Sequence, residues 1–522
     1  ALSMANKSPT ALCVQYNICD AQSQVSGQYG PDTMWRHPRF ALGHCPHFTK
    51  GASMKLTMPL RRSAILLALL LTLTGCGDLF TDASGQLSPE HTDSAASTPP
   101  VFDSTPAPTP TSTPTPTPTP FPEYDLSLMM VGDNLLHLGI IRSGQQEDGS
   151  YNYDMLYENI SRQLGKADIK IINQETILGG NDLGFSGFPS FNSPTEVGDA
   201  IASAGFNVVL HASNHAADQK LQGLNHCAAF WREQHPEVMM LGIHGEEDFD
   251  ENGGITPRTG SALTSEDQTV DWRTDERGIG YMTVRDITFA FLNYTYGPNA
   301  EVIPSSIMGQ LNILCDYDRH SGRLDFTSLN PQVLEDIAAA RLQADIVVVC
   351  PHWGTEYTTR PSSYQEKFAL QMAEAGADII IGTHPHVVQP MEWIEAENGN
   401  RCLCFYSLGN YVSTQKKGIC MLEAIAWVTF HVSEEGVSIV EDQSGPIPLV
   451  CQYASGPVHF ENVYLLQDYT QEQAAQHGIR SYGGVTLSLD DLLKWSSEVF
   501  GDNALRWPDN PSETLSRSAV SQ

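Results

Sequence analysis

Five times between residues 126 and 386, a short apolar run of strand length stops at residues able to bind a cation. Residues 126–131 lead into Gly132-Asp133, 169–172 into Asn173-Gln174-Glu175, and 206–210 into His211, Asn214 and His215. Residues 346–350 lead into His352 and Glu356, and 378–381 into His384-Pro385-His386. Runs this short and apolar read as strands covered on both faces, as in parallel sheets. Stretches of helical spacing lie between and beside them, at 154–164, 195–204, about 219–234, 331–343 and 363–375. The rhythm predicts an α/β fold with mainly parallel pairing. In such folds the loops at the carboxyl ends of strands converge, so the polar residues are expected to gather at one edge.

The flanking segments are weaker in pattern. Residues 244–279 are acidic, Gly-rich and without periodicity, which predicts a surface insertion; 281–285 and 287–293 then read as a hairpin. Residues 402–407 and 424–432 are expected to add strands of a second sheet, and 436–451 to complete a single domain spanning 123–451. Residues 452–522 read as a C-terminal tail with one helix at 489–500, dispensable for the fold.

The first 122 residues belong to a different kind of chain. Residues 104–122 are almost entirely Ser, Thr and Pro, a composition that favours extended polyproline II and buries no core. As a tether, 77–122 would reach on the order of 100 Å. Before it, Arg61-Arg62 precede a short uncharged apolar run, the layout of a secretory signal and too short to span a membrane. Leu73-Thr74-Gly75-Cys76 resembles the lipobox of bacterial lipoproteins. That resemblance implies a signal peptide over 54–76, acylation at Cys76 and a lipid-anchored location on the extracellular face of the membrane. Met54 or Met58 would suit as its start, so residues 1–53 read as a non-native or mis-called extension.

Net charge is −32, from 61 acidic against 29 basic residues, and this excludes a nucleic-acid footprint. Seven cysteines follow Cys76, an odd number set mostly in apolar runs, so they read as small buried hydrophobes rather than a disulfide framework. There is no Gly-x-Ser-x-Gly elbow, phosphate-binding Gly-Lys loop or paired Cys-x-x-Cys motif. Asp, Glu, Asn and His together form a ligand set for a divalent metal such as Zn, Mn or Fe, and two histidines at i and i+2 can straddle two ions.

Taken with Ser407-Leu408-Gly409-Asn410-Tyr411, the five blocks resemble the successive motifs of the CapA capsule-synthesis family over residues 125–450. The resemblance implies a calcineurin-like metallophosphoesterase-type β-sandwich flanked by helices, and a link to capsule or poly-γ-glutamate synthesis or export. It further implies Asp133 and His386 on one metal, Glu175 bridging, and Asn214, His352 and His384 on a second. His215 would protonate a leaving group, oriented by Asp218. Two departures stand out: that superfamily's first block is Asp-x-His, whereas Asp133 is followed by Asn134-Leu135, and the bridging residue is Glu rather than Asp. One or two ions per site are therefore both compatible with the sequence. Two functions remain open. One is metal-assisted hydrolysis or transfer at a phosphoester or related bond. The other is a non-catalytic accessory that binds an anionic surface polymer and its synthesis complex through the same pocket. His211, Trp353, Asn173 and residues 407–411 each carry a plainer reading, as strand-end packing or loop support.

The lipobox gives the first test. Replacing Cys76→Ala should leave the precursor unprocessed or release the protein from the membrane fraction; unchanged mass with unchanged membrane retention would remove the anchor.

Overall fold

The strand β1 (Tyr124–Asn134) shows how the architecture follows from alternation. Its Leu126, Leu128 and Met130 enter one buried cluster while Met129 and Val131 enter another, as a period of two requires of a strand covered on both faces. The structure, a computed structural model, describes residues 122–265, 268–456, 458–508 and 515–517. The expected extension, signal peptide, Cys76 and tether lie outside the described residues.

Beyond β1 the chain forms β2 (Ile169–Asn173), β3 (Val208–Leu210) and β4 (Met239–Leu241), all parallel, with helices Glu196–Ser203 and Lys220–Gln234 between them. Where helical spacing predicts one helix over 154–164, the chain makes two 3-10 turns and the short helix Ser161–Leu164. An antiparallel run follows: β5 (Thr259–Leu263), β6 (Thr269–Thr274), β7 (Gly280–Val284) and β8 (Ile287–Thr295). The predicted surface insertion is thus partly sheet. Val270 and Trp272 of β6 point inward between exposed neighbours, an alternation too brief to stand out among the acidic residues. The hairpin β9 (Cys315–Tyr317) and β10 (Leu324–Leu329) precedes β11 (Ile346–His352) and β12 (Ile379–Ile381), each of these two following or preceding a helix, Pro331–Arg341 and Ser363–Ala375. Ser362 caps the second of these in a reciprocal capping box with Gln365.

β13 (Met391–Glu395) and β14 (Arg401–Phe405) close this sheet, ordered β13-β14-β12-β11-β8-β7-β6-β5. Apart from a short separate pair at Leu505–Arg506 and Ser516–Arg517, five strands follow: β15 (Asn410–Val412), β16 (Leu422–Ser433), β17 (Gly436–Ile439), β18 (Gly445–Ala454) and β19 (His459–Leu465). They join the first sheet, ordered β19-β18-β16-β1-β2-β3-β4, with β15 on β1 and β17 on β16. The two strands expected at 402–407 and 424–432 therefore belong to different sheets. The sheets face each other: Phe289 of β8 meets Phe430 of β16 edge-on at 5.2 Å, and Cys350 Sγ of β11 lies 3.9 Å from Met130 Sδ of β1. This is a sandwich of two mixed sheets with helices outside, the metallophosphoesterase-like α/β fold. Seven cysteines, all buried and free, pack within it. Among the described residues no helix is long and apolar enough to cross a membrane.

The segment after 451 corrects the expected boundary. β18 runs through that position, β19 pairs along it, and Leu487, Leu492 and Phe500 are buried in the cluster between the sheets. The helix Leu489–Phe500 is capped by Ser488 and presents one apolar face inward. Leu492 is 0% exposed, so Leu492→Ala should cost about 2–5 kcal/mol of stability in the full chain. An unchanged denaturation midpoint would show that this segment does not share the core.

Candidate metal centre

The carboxyl ends of β1, β2, β3, β11 and β12 meet at one edge of the sandwich. Asp133 pairs in register with Asn173 on one side and Asn410 on the other. This close approach depends on Gly132, where a Cβ would lie 2.1 Å from the Gly409 carbonyl oxygen. Opposite, His352 bridges to Thr383 at the end of the second sheet's parallel core. His384 and His386 follow, both with left-handed backbone (φ 97° and 57°), separated by Pro385. Such conformations cost non-glycine residues roughly 1–3 kcal/mol each and persist where the surroundings impose them. Here the imposed result is two histidine rings turned to one centre.

Asp133 accepts from Asn173 Nδ2 at 2.8 Å and from the His384 backbone N–H at 3.2 Å, and lies 3.1 Å from His386 Nδ1. Glu175 lies 3.8 Å from His386 Nδ1 and 3.9 Å from His352 Nε2. His352 Nε2 is 2.8 Å from Asn214 Oδ1, and its Nδ1 is 3.0 Å from Thr383 Oγ1. Three trios have ligand atoms mutually within 4.8 Å: Asp133, Glu175 and His386; Glu175, His352 and His384; Glu356, His384 and His386. The structure thus brings together Asp133, Glu175, Asn214, His352, His384 and His386.

The electrostatics identify what the cluster fits. Glu175 is 0% exposed, and neither of its carboxylate oxygens has a hydrogen-bond partner among the described residues; the same holds for Nδ1 of buried His384. An unpaired buried carboxylate costs several kcal/mol, so burial holds Glu175 well above the usual carboxylate range. Burial also drives His352 and His384 well below the usual imidazole range, leaving them neutral with lone pairs to donate. For His386 burial acts downward too, but the nearby Glu175 and Asp133 carboxylates outweigh it and push it up to about 9. Glu175, with its two orphaned oxygens, beside the neutral imidazoles of His352 and His384 forms a donor set that a divalent cation would fit, and these residues can hold one.

His215 stands apart in role. Its Nδ1 is 2.8 Å from Asp218 Oδ2, and the same Asp218 oxygen accepts from the Phe191 N–H at 2.7 Å. The Phe191 ring meets the imidazole edge-on at 4.7 Å, leaving Nε2 without a protein partner among the described residues. This fixes the ring and leaves one nitrogen for proton transfer. His215 is near enough for its charge to depress His352 and His384.

One participant, Asn299, was not singled out from the sequence, and Glu356 was named there only as a strand-end residue. Asn299 accepts from Asn214 Nδ2 at 2.9 Å and reaches His215 Nδ1 at 3.3 Å, joining the two. It follows β8, whose carboxyl end lies at the same edge, and that position was its only signal. Glu356 is exposed beside His384 and His386, four residues past His352. The plainer readings hold for the others. His211 accepts from Trp231 Nε1 at 2.8 Å, its imidazole pushed down to about 3 by burial, and Trp353 Nε1 donates to the Tyr406 carbonyl. Asn410 Nδ2 donates to the His386 carbonyl, buttressing the turn. In the departing first block, Leu135 is buried and Asn134 Nδ2 donates to Gln174 and Tyr157, while Asn134 Oδ1 is buried with no hydrogen-bond partner among the described residues. His137, pushed down to about 4 by burial, has the Thr414 N–H 3.4 Å from its Nδ1.

Comparison with known proteins agrees with this frame. The sequence profile of the bacterial capsule synthesis protein PGA_cap family matches residues 127–260 and 271–415. The capsule biosynthesis protein CapA of Bacillus anthracis is 27% identical over 325 residues, covering 60% of this chain and 66% of that protein. The PGA biosynthesis protein CapA of Bacillus subtilis (strain 168) is 30% identical over 237 residues, covering 45% of this chain and 50% of that protein. The chain therefore spans less than two thirds of each relative's own length. With more than half of its residues matched by the profile, the chain belongs to the bacterial capsule synthesis protein PGA_cap family.

Proposed function

We propose that the chain is a lipid-anchored protein of the outer membrane face that serves capsule or poly-γ-glutamate synthesis or export through a metal-dependent hydrolase site. The single observation that carries the biochemical half is Glu175, fully buried with two oxygens that have no hydrogen-bond partner among the described residues, beside His352, His384 and His386. The family and the names of its relatives support the biological half. The anchor rests on the Cys76 lipobox.

Asp133 and His386 would hold one side of the centre and His352, His384 and Asn214 the other, with Glu175 between. One or two divalent ions of the Zn, Mn or Fe type would polarise a phosphoester or related bond and stabilise developing negative charge. His215, oriented by Asp218, protonates the leaving oxygen from Nε2. Asn173 and the His384 backbone hold the Asp133 carboxylate in place, so its geometry needs no adjustment when substrate arrives.

Ligand and proton donor separate experimentally. His384→Ala and His352→Ala should each lose most of the bound metal by elemental analysis, because each removes a donor atom. His215→Ala should keep its metal yet turn over phosphoester or γ-glutamyl substrates roughly 10²–10⁴-fold more slowly. A His215→Ala protein of undiminished activity would favour the second reading, a non-catalytic clamp for an anionic polymer. Full metal content in both ligand variants would refute the centre itself.

A further inference from the structure

A chain of charge −32 repels polyanions at a distance, so docking one needs cations placed beside the site. Six described arginines, Arg232, Arg277, Arg285, Arg323, Arg341 and Arg401, are engaged with carboxylates. Lys416 and Lys417 are not. Both are exposed, and among the described residues neither has an ion-pair partner. Their ammonium groups instead lie over aromatic rings: Lys417 Nζ is 3.3 Å from the centroid of Tyr357, and Lys416 Nζ is 4.8 Å from that of Tyr482. A ring face holds a lysine head in place without neutralising it, so the charge stays available to a ligand.

The shelf is tied to the metal centre. The Tyr357 ring lies 6.0 Å from the His386 ring, and the Tyr357 N–H donates to the Pro385 carbonyl at 2.8 Å. From the other side, Gln415 Nε2 donates to Tyr357 Oη, and Gln415 Oε1 accepts from Asn410 Nδ2, which also supports the His386 turn. The rim next to His386 thus carries Lys417 on a braced loop, with Lys416 the preceding residue, and neither lysine has an ion-pair partner among the described residues.

We infer that Lys416 and Lys417 form a docking shelf for successive carboxylates of a γ-linked glutamyl chain, aligning the chain across the metal centre. This rests on the proposed function and adds to it the polymer contact. Lysines suit a flexible chain bearing single carboxylates, since each acts as a point charge; the planar fork of arginine is the better match to bidentate phosphate. Lys416 draws on Tyr482, so the C-terminal segment contributes to the shelf as well as to the core.

The test uses fluorescence anisotropy of a fluorescein-labelled γ-linked glutamate decamer with the metal-loaded full chain. Lys416→Gln with Lys417→Gln should weaken binding by about tenfold or more and flatten its salt dependence, and the paired Arg variant should restore both. Metal content should be unchanged in every variant. Equal binding by wild type and the Gln pair, or no binding by wild type, overturns the shelf. Tighter lysine-dependent binding of a polyphosphate of equal length overturns its assignment to carboxylates. Elemental analysis reports separately on the centre: a metal-free wild type after loading refutes the proposed function, whereas a metal-loaded wild type indifferent to both lysines refutes the shelf alone.

Discussion

The structure is organised around a carboxylate with no partner. Glu175 is fully buried with neither carboxylate oxygen hydrogen-bonded among the described residues, and its neighbours, His386 and His352 at 3.8 and 3.9 Å, are arranged around that deficit. Ser213 Oγ donates to the Glu175 backbone carbonyl, pinning the loop after β3 to the loop after β2. His384 and His386 adopt left-handed backbone to bring their rings in, and Gly132 gives up a side chain so that β15 can close beside Asp133. Each concession is unfavourable in isolation. Together they form an arrangement able to hold a cation.

Around that centre the chemistry is divided by exposure. Toward the interior, burial keeps His352 and His384 neutral, while the Glu175 and Asp133 carboxylates raise His386. The dyad of His215 and Asp218 sits to one side, tied to the metal face through Asn299 and Asn214. At the rim, Glu356 and the lysine-bearing loop face solvent. The same fold edge therefore gathers a buried cluster of ligand-type residues, a hydrogen-bonded His–Asp pair and exposed charged side chains. The missing histidine of the first block is not replaced from within that block, because Leu135 is committed to the core.

How much of this was legible depended on whether the signal was local. Short apolar strands ending on ligand-type residues reveal themselves in sequence, so Asp133, Glu175, Asn214, His352, His384 and His386 could be named and their edge anticipated. Strand order could not, since β14 and β16 are similar apolar runs whose different sheets are decided by distant partners. β5 carries small and polar residues, Thr-Gly-Ser-Ala-Leu, and owes its strand form to pairing with β6 rather than to its own preference. The C-terminal segment failed as a prediction for a related reason. Its apolar residues are sparse and irregular until the groove between the sheets is there to receive them. Asn299 was invisible because a lone asparagine in a Gly-Pro turn is ordinary until it is seen to join two site residues.

The pairing of β1 with β16 has a consequence for how such a chain comes into being. β1 is the middle of its sheet, yet it is the first strand of the domain to be synthesised, and the neighbour on one side is among the last. Until β16 emerges, β1 presents an open, apolar edge with nothing to complete it. Vectorial folding from the N-terminus is therefore blocked by topology, and the nascent domain stays loosely structured until almost its whole length has appeared. The sandwich is complete only when these late strands arrive to close it.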